Sequence, residues 1–150
     1  MAGFLPDTSC MVAAVCAWHE HHAPAAAEIN RRLALSEPMI VAAPALVEAY
    51  AVLTRLPSPH RLSAADTLAV LEANFLRSGR LMALDAASYR SLVRRAPKDG
   101  IAGGRTYDAV IARCAMRAKA ATLLTFNQRH FYALVPAGID VIVPGSSLAS

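Results

Sequence analysis

Five short apolar runs constrain this chain more than any other feature. Gly3–Asp7, Met39–Ala43, Arg80–Leu84, Thr122–Phe126 and Asp140–Val143 are each the length of a buried strand, and each is preceded or followed by a helical pattern. Strands separated by helices pair in parallel through right-handed crossovers, and a parallel sheet must be covered on both faces. The expected architecture is therefore α/β, with helices on either side of a parallel sheet. Pro6 interrupts this pattern, because it removes a ladder donor one residue before Asp7, and it belongs near the strand's end.

Local signals mark the helices. Pro44 suits a first helical position, ahead of Leu46, Val47, Tyr50 and Leu53. Ser63 with Asp66 reads as a capped start and Gly79 as a stop, around Leu68, Leu71, Phe75 and Leu76. Asp85 is expected to cap the next helix, and Thr106 the one ending near Lys119. The segment Pro97–Gly104 has the composition of a loop, and no repeat or linker divides the chain.

A chain of 150 residues fits one domain, read here as spanning 1–150, and with 55% hydrophobic against 17% charged residues it is not a disordered sequence. Its apolar stretches are too short to span a membrane: Cys10–Trp18 stops at His19 and Met39–Val47 at Glu48, where a spanning helix takes about 20 residues. No Lys or Arg precedes the first apolar residues, and Cys10, Cys16 and Cys114 form no CxxC pair, so a cytoplasmic protein with reduced thiols is expected. The net charge is +4, and of 15 basic residues only Lys98 and Lys119 are lysines. The arginine fork suits phosphate, so this balance permits a polyanionic partner.

The acids carry the chemistry. In parallel α/β folds ligands bind beyond the carboxyl ends of the strands. Asp7 ends the first strand, Glu48 lies in the first turns of the helix leaving the second, and Asn127 follows the fourth. Asp108 opens the helix that feeds the fourth strand, and that helix runs antiparallel to it, so Asp108 starts at the same rim. Glu48 is the one charge between Glu37 and Arg55, and Asp108 shares a helical face with Ile111, Ala112 and Ala115. Carboxylates on such faces are costly to desolvate, and two of them about 4 Å apart repel by roughly 4 kcal/mol at an effective dielectric of about 20. Each acid alone reads as a helix cap or a surface ion pair, but convergence of all three on one rim is better explained by a divalent cation. All-oxygen ligation favours Mg²⁺ or Mn²⁺ over zinc, and an acid cluster holding such an ion suits phosphodiester cleavage.

These segments also carry a family pattern. Asp7-Thr8-Ser9, Pro44-Ala45-Leu46-Val47-Glu48, Tyr107-Asp108-Ala109 with Ile111-Ala112, and Leu124 through Phe131 together resemble a PIN-domain nuclease, and more narrowly the VapC toxins of type II toxin–antitoxin pairs. The resemblance implies a PIN-like three-layer α/β/α sandwich with a five-stranded parallel sheet. It implies Mg²⁺- or Mn²⁺-dependent endoribonuclease activity on RNA such as tRNA or rRNA, a cognate VapB-like antitoxin whose tail fills the site, and a homodimer. By position, Asp7, Glu48 and Asp108 match the family's three acidic metal-site residues, and Asn127 falls where many relatives place a fourth acid. Ser9 and Thr125 match supporting hydroxyl positions. Cleavage by metal-activated water leaves a 5′-phosphate and a 3′-hydroxyl.

Other features read as structural. Trp18-His19-Glu20-His21-His22 is not HExxH, since position 23 is Ala, and is expected to end the first helix on the solvent side. His60 and His130 read as surface or loop residues, Asp99 and Asp140 as turn residues, and Arg31, Arg32, Arg94 and Arg95 as solvated faces. Arg105, Arg113 and Arg129 flank the acid-bearing segments and are the candidates for RNA phosphate. Three competing functions keep a discriminating feature. A catalytically silent PIN-like module binding RNA or a regulatory partner is consistent with Asn127 in place of an acid. A phosphotransferase built on Asp7 lacks the second Asp of a DxD loop and a Lys after the fifth strand. A histidine-based ribonuclease would tolerate chelators and leave a 2′,3′-cyclic phosphate.

Overall fold

Strand β1 (Phe4–Pro6) is buried along its length and delivers the chain directly to Asp7. The computed structural model describes residues 2–146. After β1 come helices α1 (Thr8–Val15) and α2 (His22–Ala34), strand β2 (Ile40–Ala42), helices α3 (Ala43–Thr54) and α4 (Ala64–Leu71), and strand β3 (Arg80–Met82). Helices α5 (Ala86–Arg95) and α6 (Arg105–Arg117) lead to β4 (Thr122–Leu124), α7 (Gln128–Tyr132) and β5 (Asp140–Ile142). All five expected strands form, and every pairing is parallel.

The sheet departs from expectation. Among the described residues, instead of one five-stranded ladder there is a three-stranded sheet, β1-β4-β5, and a two-stranded sheet, β2-β3, joined by a single parallel bridge between Phe4 and Met39. Pro6 supplies the reason. Successive N–H groups of a strand point to opposite sides, so Asp7 donates to Leu124 of β4 (2.9 Å) while Phe4 donates to Pro38 on the β2 side (2.9 Å). Residue 6 also faces β2, and as proline it has no N–H with which to continue that ladder.

The core lies around this seam. Phe4, Leu5, Met11, Ile40, Leu53, Phe75, Leu123 and Phe131 are all fully buried, and each contributes roughly 1.5–3 kcal/mol over an exposed position. The buried cysteines pack among them as small apolar residues.

Capping follows the sequence in two places and departs from it in a third. Ser63 accepts from Asp66 N–H at 3.0 Å and Asp85 from Ser88 N–H at 2.8 Å. Thr106, in contrast, does not cap α6, which begins at Arg105 with no side-chain cap bond. Gly103, at φ +60°, turns the chain so that the carbonyls of Gly103 and Gly104 take the N–H groups of Thr106 and Tyr107, and the hydroxyl is not needed. Helix α4 also passes into a π turn (Glu72–Leu76) before Gly79. There the Asn74 amide donates to the Val70 carbonyl at 2.8 Å, occupying the acceptor that an α turn reserves for residue 74's own N–H. A Cβ at Gly79 would stand 2.5 Å from both the Phe75 carbonyl oxygen and Val41 Cγ2, so this close approach requires glycine.

Arg32 is not on a solvated face. Its side chain is 13% exposed, holds Glu28 and Glu37 at 2.7 and 3.0 Å, and lies over the Phe4 ring. No helix among the described residues is long and apolar enough to cross a membrane.

Candidate active site

At the carboxyl end of β1, Asp7 is 2% exposed and serves as N-cap of α1. One carboxylate oxygen accepts from Cys10 N–H (2.9 Å) and the Ser9 hydroxyl (2.6 Å), and the other from the Thr125 hydroxyl (2.6 Å). Thr125 sits just beyond β4 and accepts in turn from Asn127 N–H at 2.8 Å, while Ser9 accepts from Phe126 N–H at 3.2 Å. Two strand ends 118 residues apart in sequence are thus locked to one another through a carboxylate. Burial pushes the Asp7 pKa up, the bonds from Ser9, Thr125 and Cys10 oppose that, and the charge of Asp108 adds to it.

Glu48 and Asp108 reach the same cavity, of about 470 Å³, from α3 and α6. Glu48 accepts from the Thr8 hydroxyl at 2.6 Å, and Asp108 meets His130 Nδ1 at 3.1 Å. Partial burial raises the Asp108 pKa, His130 opposes the rise, and the Glu48 charge reinforces it. Ser9 and Asn127 also line this cavity, so the four predicted site residues and one of their two supporting hydroxyls share one depression. Among the described residues, no three His, Cys, Asp or Glu side chains lie close enough together to hold a metal ion as they stand. The three acids share a cavity and one another's electric field rather than a single contact set.

The arginines are less central. Arg105 and Arg129 are exposed, Arg113 is half-buried along α6, and none of the three lines the cavity, although the Arg105 charge lowers the Asp108 pKa. A neighbouring, mostly apolar groove of about 670 Å³ between α3, α5 and α6 includes Glu48 and Ile111 in its walls.

The PIN domain profile matches residues 4–135 of the chain. Over 124 residues, 83% of this chain and 86% of the relative, it is 42% identical to Ribonuclease VapC40 of Mycobacterium tuberculosis. The chain belongs to the PIN-domain family, in its VapC branch. Solved structures of lower identity share this PIN fold. VapC20 of M. tuberculosis, a sarcin-ricin loop cleaving toxin, superposes with a TM-score of 0.66 at 18% identity, covering 89% of this chain and 97% of that one. DNA-bound VapBC from Salmonella typhimurium gives 0.65 at 23% identity, covering 95% and 98%.

PIN domains are expected to use a divalent cation, and the donor set suits one. A carboxylate offers about four acceptor positions. Asp7 uses three, and Glu48 and Asp108 each commit one oxygen among the described residues. Each acid therefore keeps oxygen capacity for a hard cation, with no thiolate among the cavity residues to favour a softer one.

Sequence reasoning misplaced or missed several residues of this cavity and its surround. The turn between α1 and α2 does not face away from the acids: His19, Glu20 and His21 line the cavity. Helix α1 ends early, at Val15, and the turn folds back, with the Ala13 carbonyl holding His22 Nδ1 at 2.9 Å. His130 is the partner of Asp108 rather than a bystander, one helical turn beyond Asn127. Thr8, adjacent to Asp7, supports Glu48. The signal for Thr8 and His130 was proximity to the acid-bearing motifs. For His19 and His21 it was the unusual density of rings.

Proposed function

We propose that this chain, read as one PIN domain whose two sheets act as a five-stranded unit, is the toxin of a type II toxin–antitoxin pair. It is an endoribonuclease dependent on Mg²⁺ or Mn²⁺ that acts on RNA such as tRNA or rRNA. The observation that carries this reading is the convergence of Asp7, Glu48 and Asp108 from three separate elements on one cavity, in a chain 42% identical to a named ribonuclease. A VapB-like antitoxin as partner, a homodimer and a cytoplasmic location belong to the same proposal.

Asp7 and Asp108 would hold the cation, with Glu48 completing the charge. A divalent ion bound there supplies a more acidic water, a positioned phosphate and a stabilised leaving oxygen. Asp7 has little freedom, because Ser9, Thr125 and Cys10 N–H fix both its oxygens. Glu48, held through one oxygen by Thr8, would accept a proton from the attacking water. Asn127 brings an amide but no charge, and so orients water rather than adding a fourth anion. Arg105, Arg113 and Arg129 lie outside the cavity, where they would meet phosphates flanking the cut.

The test is end-mapped cleavage of cellular RNA. The expected result is cutting in Mg²⁺ that leaves 5′-phosphate and 3′-hydroxyl ends and disappears with chelator or in Asp7→Ala. Undiminished cutting by that variant would refute the assignment. A second reading is favoured by one observation, the presence of His19 and His21 in the cavity wall. It is a histidine-based ribonuclease, recognised by chelator-resistant cleavage and 2′,3′-cyclic phosphate ends. If no divalent-dependent cleavage of total RNA is found while a partner binds tightly, the silent module is the correct account.

A further inference from the structure

The α1–α2 turn carries a strip of rings that the proposed chemistry does not use. Trp18 is 48% exposed and stacks on His60, with centroids 4.1 Å apart and planes at 22°. His21 stacks on Phe126, next to Asn127, at 4.4 Å and 13°. His19 stands between the two pairs, 5.8 Å from Trp18 and 5.7 Å from His21. The strip thus leads from the acid cavity, which His19, His21 and Phe126 line, outward to the exposed indole.

The turn is also held in place. His19 N–H donates to the Cys16 carbonyl (2.9 Å), His22 N–H to the His19 carbonyl (3.0 Å), and His21 N–H to His19 Nδ1 (3.0 Å). A large exposed ring with one face already stacked, on a turn that needs no ordering, resembles the aromatic platforms on which proteins stack unpaired bases. A duplex keeps its bases stacked on each other and offers such a platform nothing. We propose that Trp18, backed by His60, is a stacking site for an unpaired RNA base near the scissile phosphate, so that single-stranded segments are engaged in preference to duplex. This rests on the ribonuclease reading above.

Trp18 is the only tryptophan of the chain, so its emission reports this site alone. The experiment titrates an end-labelled ten-nucleotide oligo(A), and an end-labelled GC-rich ten-base-pair RNA duplex, into the full chain carrying Asp108→Asn to slow cleavage, reading Trp18 emission where the indole is present and filter retention of the label in every protein. The expected result is quenching of Trp18 by oligo(A), with binding of the duplex several-fold weaker. Trp18→Ala should weaken oligo(A) binding about ten-fold, and Trp18→Phe should restore it to within about three-fold. A turn pinned by Trp18 for structural reasons alone would leave strand preference unmoved. Unchanged emission at saturating oligo(A), or equal affinity in Trp18→Ala, overturns the proposal. If the unsubstituted protein cuts RNA in Mg²⁺ while Trp18 stays unquenched, this inference fails alone. If the protein neither binds nor cuts RNA, both fail.

Discussion

The two walls of the acid cavity are built differently. On the strand side, Asp7 is buried and held by three hydrogen bonds that join the ends of β1 and β4. On the helix side, Glu48 and Asp108 are half-buried, and each has one side-chain partner among the described residues, Thr8 or His130. The contrast separates two jobs. On the proposed reading, the principal cation anchor must be placed within a fraction of an ångström, which takes packing and several bonds, whereas groups that complete the charge and exchange a proton with water gain from fewer constraints.

The largest effect is expected from Asp7→Asn, which keeps the shape of the fixed wall but removes its charge. RNA cleavage should fall about 1,000-fold, the loss of roughly 4 kcal/mol of transition-state stabilisation, as read from initial rates. Next is Thr125→Val, which leaves a buried Asp7 oxygen without its donor and Asn127 N–H without its acceptor. Unfolding in denaturant should become easier by about 1–3 kcal/mol, and Thr125→Ser should recover most of that.

A smaller effect of opposite sign is expected on the looser wall. Desolvation raises the Asp108 carboxyl above its ordinary value of 3.8. A raised carboxyl favours the folded state when protonated, below that ordinary value, and the advantage is lost as pH rises through the folded-state pKa. Asp108→Asn removes that loss, so at pH 7 without divalent ions its Tm should exceed the parent's by about 2 °C, and the difference should vanish near pH 4. Smallest of all, His130→Ala should change stability by no more than about 0.5 kcal/mol, because the His130–Asp108 pair is partly exposed. A cost as large as that of Thr125→Val would erase the distinction between the walls.

Legibility in the sequence follows the same division. The strand ends, and so Asp7, Glu48, Asp108 and Asn127, were readable because apolar runs and the rim rule fix where a parallel strand stops. Ser63 and Asp85 were readable because capping is local. The split of the sheet was half-written in Pro6: the missing donor was visible, but not the neighbour it would have served. His19 and His21 line the cavity instead of the expected solvent side because a turn's direction depends on long-range packing, here the return of the α1–α2 turn to Phe126. Arg32 was misplaced for a similar reason, since its partners Glu28 and Glu37 and the Phe4 ring meet only in the folded chain.

Everything turns on whether the three carboxylates take up a divalent ion together. Calorimetric titration of Mn²⁺ into the chelator-stripped full chain, beside Asp7→Asn and Asp108→Asn, addresses that directly. Saturable binding in the parent that weakens ten-fold or more in both variants is expected. Identical binding isotherms in all three proteins, or no uptake by a parent that still cuts RNA, would contradict it.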